Sequence, residues 1–414
     1  MIKGILIMNY LNRNRNLILL LLSSIINKFG DVFFDLFIIW EITIRYNNIM
    51  DAVYLLSGSI LFRAVLAMFS GIIADRFDKK KLILFANLSS IIIILSFAFG
   101  FNYYISNVNV CLLLILANNV NNEIFYRSSL AMGAEFSDKL TFIRFQSMIG
   151  IANKIIDVIG SAIIGLLIAL IPYSAIFLLD VLTFICSSLF VMQIHYVYQK
   201  HNITMHRKHI FQSVIADVKT AMNYIYKKKY FRYFTLIMFI LNLAYGFIPN
   251  ILPLVFSAEN NNSMTFGIIK SAITLGSLLG LLLVAKCGNK VSRLFKISMI
   301  GCAMCMIFMI LPVNTFLLVF LFLSYGFFDA ITQPLFSYTI SSIDKEIRSR
   351  VLGGIDTIIL LSPSIGMFMG TVIMQVNHWL GFIYLAVIFI LAFLLMCLND
   401  DLNQLEVKDA GSHK

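Results

Sequence analysis

Lys28, Asp31 and Asp35 lie inside one apolar run, 17–42, at spacings i, i+3 and i+7. On a helix this spacing puts all three on one face. One lysine cannot neutralise two carboxylates. One Asp is left to pair elsewhere, to bind a cation or to take up a proton, which is the composition of a coupling or substrate site. Asp35 is the more distinctive of the two; Asp31 equally fits a helix cap or a structural ion pair. A second polar stripe, Asn119, Asn122, Glu123 and Arg127, occupies the run 108–131, with Glu123 and Arg127 at i, i+4 and expected to pair. Lys154 and Asp157 stand at i, i+3 in the run 141–171 and form another expected pair. Asp329 and Gln333 are expected on one face of a helix covering 314–341, and Asp180 and Asp356 lie at similar depth in their own runs. A charge facing lipid at mid-bilayer costs ~2.5–3.5 kcal/mol, so these groups are expected to face a cavity or a partner.

The elements that must carry them follow from composition. The chain has 414 residues, 60% hydrophobic and only 13% charged. A water-soluble fold of that size needs far more polar surface. A bilayer instead demands runs of about 20 apolar residues, each closing its own backbone hydrogen bonds as a helix. Twelve such runs are read: 17–42, 50–74, 82–101, 108–131, 141–171, 173–195, 231–256, 265–286, 293–312, 314–341, 350–375 and 378–398. The fold class is therefore an all-α membrane protein, twelve transmembrane helices in two six-helix halves around a central cavity. The run 17–42 is read as a span and not as a cleavable signal peptide, being long and without a small-residue cleavage site after it. The domains are 1–195, an N-terminal half; 196–230, a cytoplasmic linker with an amphipathic helix; 231–398, a C-terminal half; and 399–414, a cytoplasmic tail. Pro249, Pro253, Pro334 and Pro363 mark kinks.

The net charge of +11 falls almost wholly on one set of loops, with Arg45 the exception, which places both termini in the cytoplasm. The basic excess is thus accounted for by orientation in a cell (plasma) membrane. Nucleic-acid binding is not expected, since no soluble module interleaves basic and aromatic residues. The six cysteines lie in or beside apolar runs and read as core thiols, including Cys302 and Cys305 at redox-motif spacing. No phosphate-binding loop, Ser-His-Asp arrangement or HExxH is present, so the chain is read as not an enzyme, with no cofactor and no metal site.

Residues 71–81, Gly-Ile-Ile-Ala-Asp-Arg-Phe-Asp-Lys-Lys-Lys, join two membrane-length runs through a very short charged loop. With Gly71, Asp75, Arg76 and the lysines 79–81, this resembles the signature loop of major facilitator superfamily transporters. Asp78, where many members have glycine, resembles the branch of macrolide efflux proteins and the enterobactin exporter. Asn27-Lys28-Phe29-Gly30-Asp31, Arg350-Val351-Leu352-Gly353 and Val376-Asn377-His378-Trp379 are similar to that branch. The resemblance implies that Gly71, Asp75 and Arg76 form a gate, with Asp75 meeting the backbone near Arg350 to Gly353. It further implies a secondary active transporter that exports a small amphiphilic or zwitterionic molecule, such as a drug or a siderophore-like metallophore. The motion is alternating access, the partners are a small-molecule substrate, protons and the lipid bilayer, and the state is a monomer. The usual antiporter arginine of the fourth helix is replaced by Asn118 or Asn119, and the fifth helix has Gly160 and Gly165 without a proline. Nutrient import or lysolipid flipping on the same fold, or a non-transporting receptor or assembly protein, are the alternatives.

Overall fold

The computed structural model describes residues 15–46, 49–196, 224–258, 262–287, 291–311, 314–343 and 359–403, together with Val351 and Ile355. Among these the regular elements are all helices. They are α1 Arg15–Tyr46, α2 Ile49–Arg76, α3 Lys79–Ile105, α4 Val108–Glu135, α5 Lys139–Leu170 and α6 Tyr173–Met192. There follow α7 Lys229–Phe247, α8 Leu252–Ala258, α9 Ser263–Cys287, α10 Val291–Phe308, α11 Thr315–Ala330, α12 Gln333–Ser342, α13 Ser362–Val376, α14 His378–Cys397 and the short α15 Asp400–Asn403. Ten helices among the described residues are long and apolar enough to cross a membrane. The expected spans 50–74 and 350–375 are not among the ten. The first is helical throughout as α2, but its side chains from 67 to 76 lie outside the described set; the second is described as a continuous helix only from Ser362. Residues 197–223, which hold most of the helix expected in the 196–230 linker, the tail beyond 403 and Asp356 also lie outside the described residues.

The chain divides into two compact units, Met1–Ile203 with Asn261–Gly267 and Thr204–Asn260 with Ile268–Lys414. In the first, α1 packs on α5 and α6, α3 on α4 and α6, and α2 on α4. In the second, α7 packs on α13 and α14, and α10 on α11 and α14. There α9 meets α11 closely enough that a Cβ on Gly276 would lie 1.9 Å from the Leu323 carbonyl oxygen. The five seams of the first unit have counterparts in the second.

The packing is that of a lipid-solvated protein. Phe85, Leu88, Ile92 and Phe99 run along one face of α3 at 62, 58, 62 and 86% exposure, a stripe that water would penalise and hydrocarbon does not. The opposite face of α3 carries Phe97 and Phe101, which meet Phe34 and Phe37 of α1 and Phe177 of α6 at ring-centroid distances of 5.1–5.6 Å for the contacts Phe34–Phe97, Phe37–Phe101, Phe37–Phe177 and Phe97–Phe177. Polar side chains tie the same seams. Asn87 of α3 accepts from Asn27 of α1 at 3.1 Å and donates to Ser187 and Ser188 of α6 at 3.1 Å each. Asn118 accepts from Ser90 at 2.9 Å, and Asn121 donates to Ser89 at 3.1 Å. In place of the hydrophobic effect, which is weak between helices in lipid, such bonds and close packing hold the bundle.

Two expected rods are interrupted. The run 231–256 breaks between α7 and α8, around Pro249 and Pro253, and the run 314–341 breaks at Ile331–Thr332, just before Pro334. Proline removes a donor and clashes with the preceding turn. The carbonyl freed at Pro249 is satisfied by Lys270 Nζ of α9 at 2.8 Å. Asp329 and Gln333 therefore stand on either side of a two-residue turn.

The small residues in the second unit set its closest approaches. A Cβ on Gly326 would fall 2.0 Å from the Ile273 carbonyl oxygen. Gly326→Ala is expected to force α9 and α11 apart and to cost about 1–3 kcal/mol. The readout is a lowered thermal midpoint in detergent with loss of monodisperse protein; a midpoint equal to wild type would show that this seam yields freely.

Candidate functional site

Charges from α2, α5 and α6 act on the charged side chains of α1. Lys28, one turn before Asp31, reaches across the seam to α5, where its Nζ lies 3.1 Å from Asp157 Oδ1. The two side chains are 32 and 33% exposed, so the pair is neither sealed in the core nor wholly open. This corrects one reading: Asp157 pairs with Lys28 and not with Lys154 on its own helix, while Lys28 still acts on Asp31. Helical spacing alone cannot show this, because the competing partner comes from a helix over a hundred residues along the chain.

Asp31 lies in electrostatic reach of Asp35, Lys28 and Arg63 of α2, beside Asn122 of α4. Its Oδ1 and the Asn122 amide nitrogen are both buried without a full hydrogen bond, and that amide is the side-chain donor acting on Asp31. On α4, Arg127 Nε lies 2.7 Å from Glu123 Oε1, and its guanidinium sits 5.4 Å from the Tyr126 ring centroid. Asn119 is buried and donates to Ser59 of α2 at 2.6 Å, so it stands on the α2–α4 seam. Lys28, Asp31, Asp157, Asn122 and Asp35 thus form one neighbourhood in the first unit, with Glu123 and Arg127 on the same α4. Asp329 and Gln333 belong to the second unit.

Asp180 is a residue that sequence reading placed at membrane depth without giving it a role. It is 1% exposed on α6, accepts only a long 3.4 Å contact from Thr183 at Oδ1, and has no donor to Oδ2. Its carboxylate lies on the backbone of α1: a Cβ at Gly30 would come within 2.3 Å of Asp180 Oδ1. The available signal was Gly30 itself, a small residue immediately before a membrane-depth Asp.

The turn carrying 71–81 has a different geometry from its charge pattern alone. The side chains of Gly71, Asp75 and Arg76 lie outside the described residues, as do Arg350 and Leu352 to Gly354. Asp78 caps α3 by accepting from the Lys81 amide at 3.2 Å. Lys79, 8% exposed at its side chain, pairs with Glu135 at the end of α4 at 2.8 Å. Lys80 donates to the carbonyls of Met192 and Ile194 at the end of α6, at 2.9 and 2.8 Å. Cations at a helix N-terminus oppose their own dipole. Here they face the carboxyl ends of two antiparallel neighbours, where the same dipole rule favours them.

Among the described residues no group of three or more His, Cys, Asp or Glu is placed to hold a metal ion, and Cys111, Cys186, Cys302, Cys305 and Cys397 are free thiols. The site offers paired charges of both signs and unsatisfied carboxylate oxygens at membrane depth.

Exchanging the charges of the Lys28–Asp157 pair tests its independence. Lys28→Asp alone is expected to lower stability by about 1 kcal/mol, a modest figure because both groups are a third exposed. Lys28→Asp with Asp157→Lys is expected to recover most of it in a double-mutant cycle read by thermal unfolding; purely additive losses would show that the pair carries no coupling.

No curated protein matches the chain. Solved structures that resemble it are transporters. The nucleoside transporter NupG superposes at a TM-score of 0.66 with 14% identity, covering 93% of this chain and 98% of that one. A POT family transporter in complex with a thioalcohol-conjugated peptide gives a TM-score of 0.68 at 11% identity, covering 93 and 96%. The inward-open xylose transporter XylE from E. coli gives 0.64 at 15% identity, covering 95 and 97%. At such identities the likeness is one of fold. The sequence model of the Major Facilitator Superfamily matches residues 9–343, most of the chain, and the chain belongs to that superfamily of membrane transporters.

Proposed function

We propose that this protein is a proton-coupled exporter of a small amphiphilic or zwitterionic solute, a drug or a siderophore-like chelator among them. The family and its fold imply secondary transport by alternating access, in which two bundles expose a site to one side of the membrane and then the other. The observation that carries the finer reading is the pair of partly exposed ion pairs, Lys28–Asp157 and Glu123–Arg127, on membrane-length helices of the first unit. A solute with both signs of charge can exchange partners with such pairs without leaving an uncompensated charge, whereas a purely apolar solute gains nothing from them. Asp31 and Asp35 supply carboxylates next to that pair, and protonation there biases one state over the other. Asn119, Asn122, Asp329 and Gln333 complete the polar set. The export direction rests on the resemblance of 71–81 to efflux proteins.

In the same reading the twelve spans form two halves, 1–195 and 231–398, joined by 196–230. Both termini lie in the cytoplasm of a plasma-membrane monomer. Gly71, Asp75 and Arg76 gate the cytoplasmic side.

Transport in everted vesicles, with fluorescent macrolides and a catecholate siderophore as probes, tests this. Saturable, gradient-driven accumulation is expected, collapsing with a protonophore. Asp35→Asn should abolish the gradient-driven component while leaving solute exchange measurable. Asp75→Ala should insert normally and lose most transport. Accumulation that ignores the proton gradient, or a fully active Asp35→Asn, would remove proton coupling through this face. Separately, single cysteines at positions 200 and 410 should label only from the cytoplasmic side of intact cells; labelling from outside would reverse the orientation.

A further inference from the structure

The unsatisfied oxygens of the first unit lie on two helices. Asp180 of α6 is buried against the α1 backbone at Gly30, with Oδ2 lacking any donor; Asp31, the next residue of α1, has a buried Oδ1 without a full hydrogen bond, the Asn122 amide being the side-chain donor that acts on this carboxylate. The two carboxylates feel one another, and both feel Asp35. The charges around them do not balance. Lys28 is engaged with Asp157 across the α1–α5 seam, and the other cation acting on Asp31 is Arg63 of α2. Asn122 of α4 and Thr183 of α6 are the neutral polar neighbours. The α3 face packed against α6 brings Asn87, also neutral, to Ser187 and Ser188. Three carboxylates therefore face Arg63 and a lysine already paired. A buried carboxylate oxygen without a donor is costly, and a shortage of positive charge in the same place compounds that cost. Among the described residues no three ligands converge as a metal ion requires. The missing charge is the smallest cation, which needs one oxygen and no coordination shell.

We propose that Asp31 and Asp180 form a two-carboxylate proton-binding site across the α1–α6 seam, with Asp180 as the member held on Gly30. Each proton adds to a carboxylate oxygen and leaves as it came, so the site exchanges protons with water and consumes nothing. The proposal deepens the transport reading and rests on it for the use made of the proton: uptake at Asp180 neutralises the carboxylate lying on α1 and eases movement of α1 along α6.

Infrared difference spectroscopy of the purified, lipid-reconstituted protein reads the site directly. Wild type titrated above about pH 6, where exposed carboxylates are already ionised, should retain a carboxylic C=O stretch, shifted in deuterated water, that Asp31→Asn with Asp180→Asn removes. Asp180→Asn alone should remove part of it, and size-exclusion chromatography shows whether each variant is folded. If the double variant does not fold, Asp180→Asn carries the test through the same band. A wild-type band unchanged by Asp180→Asn, or no titrating band at all, overturns the proposal. Transport is a separate readout. A band that depends on Asp180 in a protein whose flux ignores the proton gradient keeps the proton site and removes the coupling; gradient-driven flux with no such band does the reverse.

Discussion

A polar group inside a bilayer has only the protein to bond to, and that constraint organises this molecule. Helices satisfy their own backbones; what remains is side chains and broken ends. The first unit meets the demand with amides and hydroxyls in chains, such as Asn27–Asn87–Ser187, where Asn87 accepts from one neighbour and donates to the next. The second unit meets it at a broken helix by sending Lys270 to the carbonyl that the turn at Pro249 exposes. A cation at membrane depth, which taken alone suggests a binding site, is here committed to a backbone oxygen.

The same constraint separates what sequence could reveal from what it could not. Length and apolarity set the helices, because each run must span hydrocarbon by itself; hence α4 and α14 fall almost where the runs 108–131 and 378–398 place them. Pairs within one helix were equally legible, Glu123–Arg127 above all, because i, i+4 geometry is local. Pairs between helices were not. Nothing around Lys28 names Asp157, and the expected Lys154–Asp157 pair was the best guess that local spacing allows. Asp180 was visible as a charge but not as a neighbour of Gly30, since contact across the α1–α6 seam depends on rotation of both helices.

Charge counting within the first unit then has a clear result. Ion pairs absorb Lys28, Asp157, Glu123 and Arg127. What is left over at that depth is Asp31, Asp35 and Asp180 against Arg63 and Lys154, an acidic excess of one, with Asp180 lying on the α1 backbone at Gly30. An excess of one sign in a low-dielectric place is sensitive to small additions of the other sign.

Lys80 ties the α2–α3 turn to the carbonyls of Met192 and Ile194, where the chain leaves α6. These two points are more than a hundred residues apart in sequence and share a single ammonium. The turn therefore acts as a tether on the outgoing chain: a displacement of the α3 start is carried to the end of α6 without any change in the helices between them. A basic residue that sequence reading treated as an orientation signal is mechanically a rivet, and its lever arm is the length of a lysine side chain.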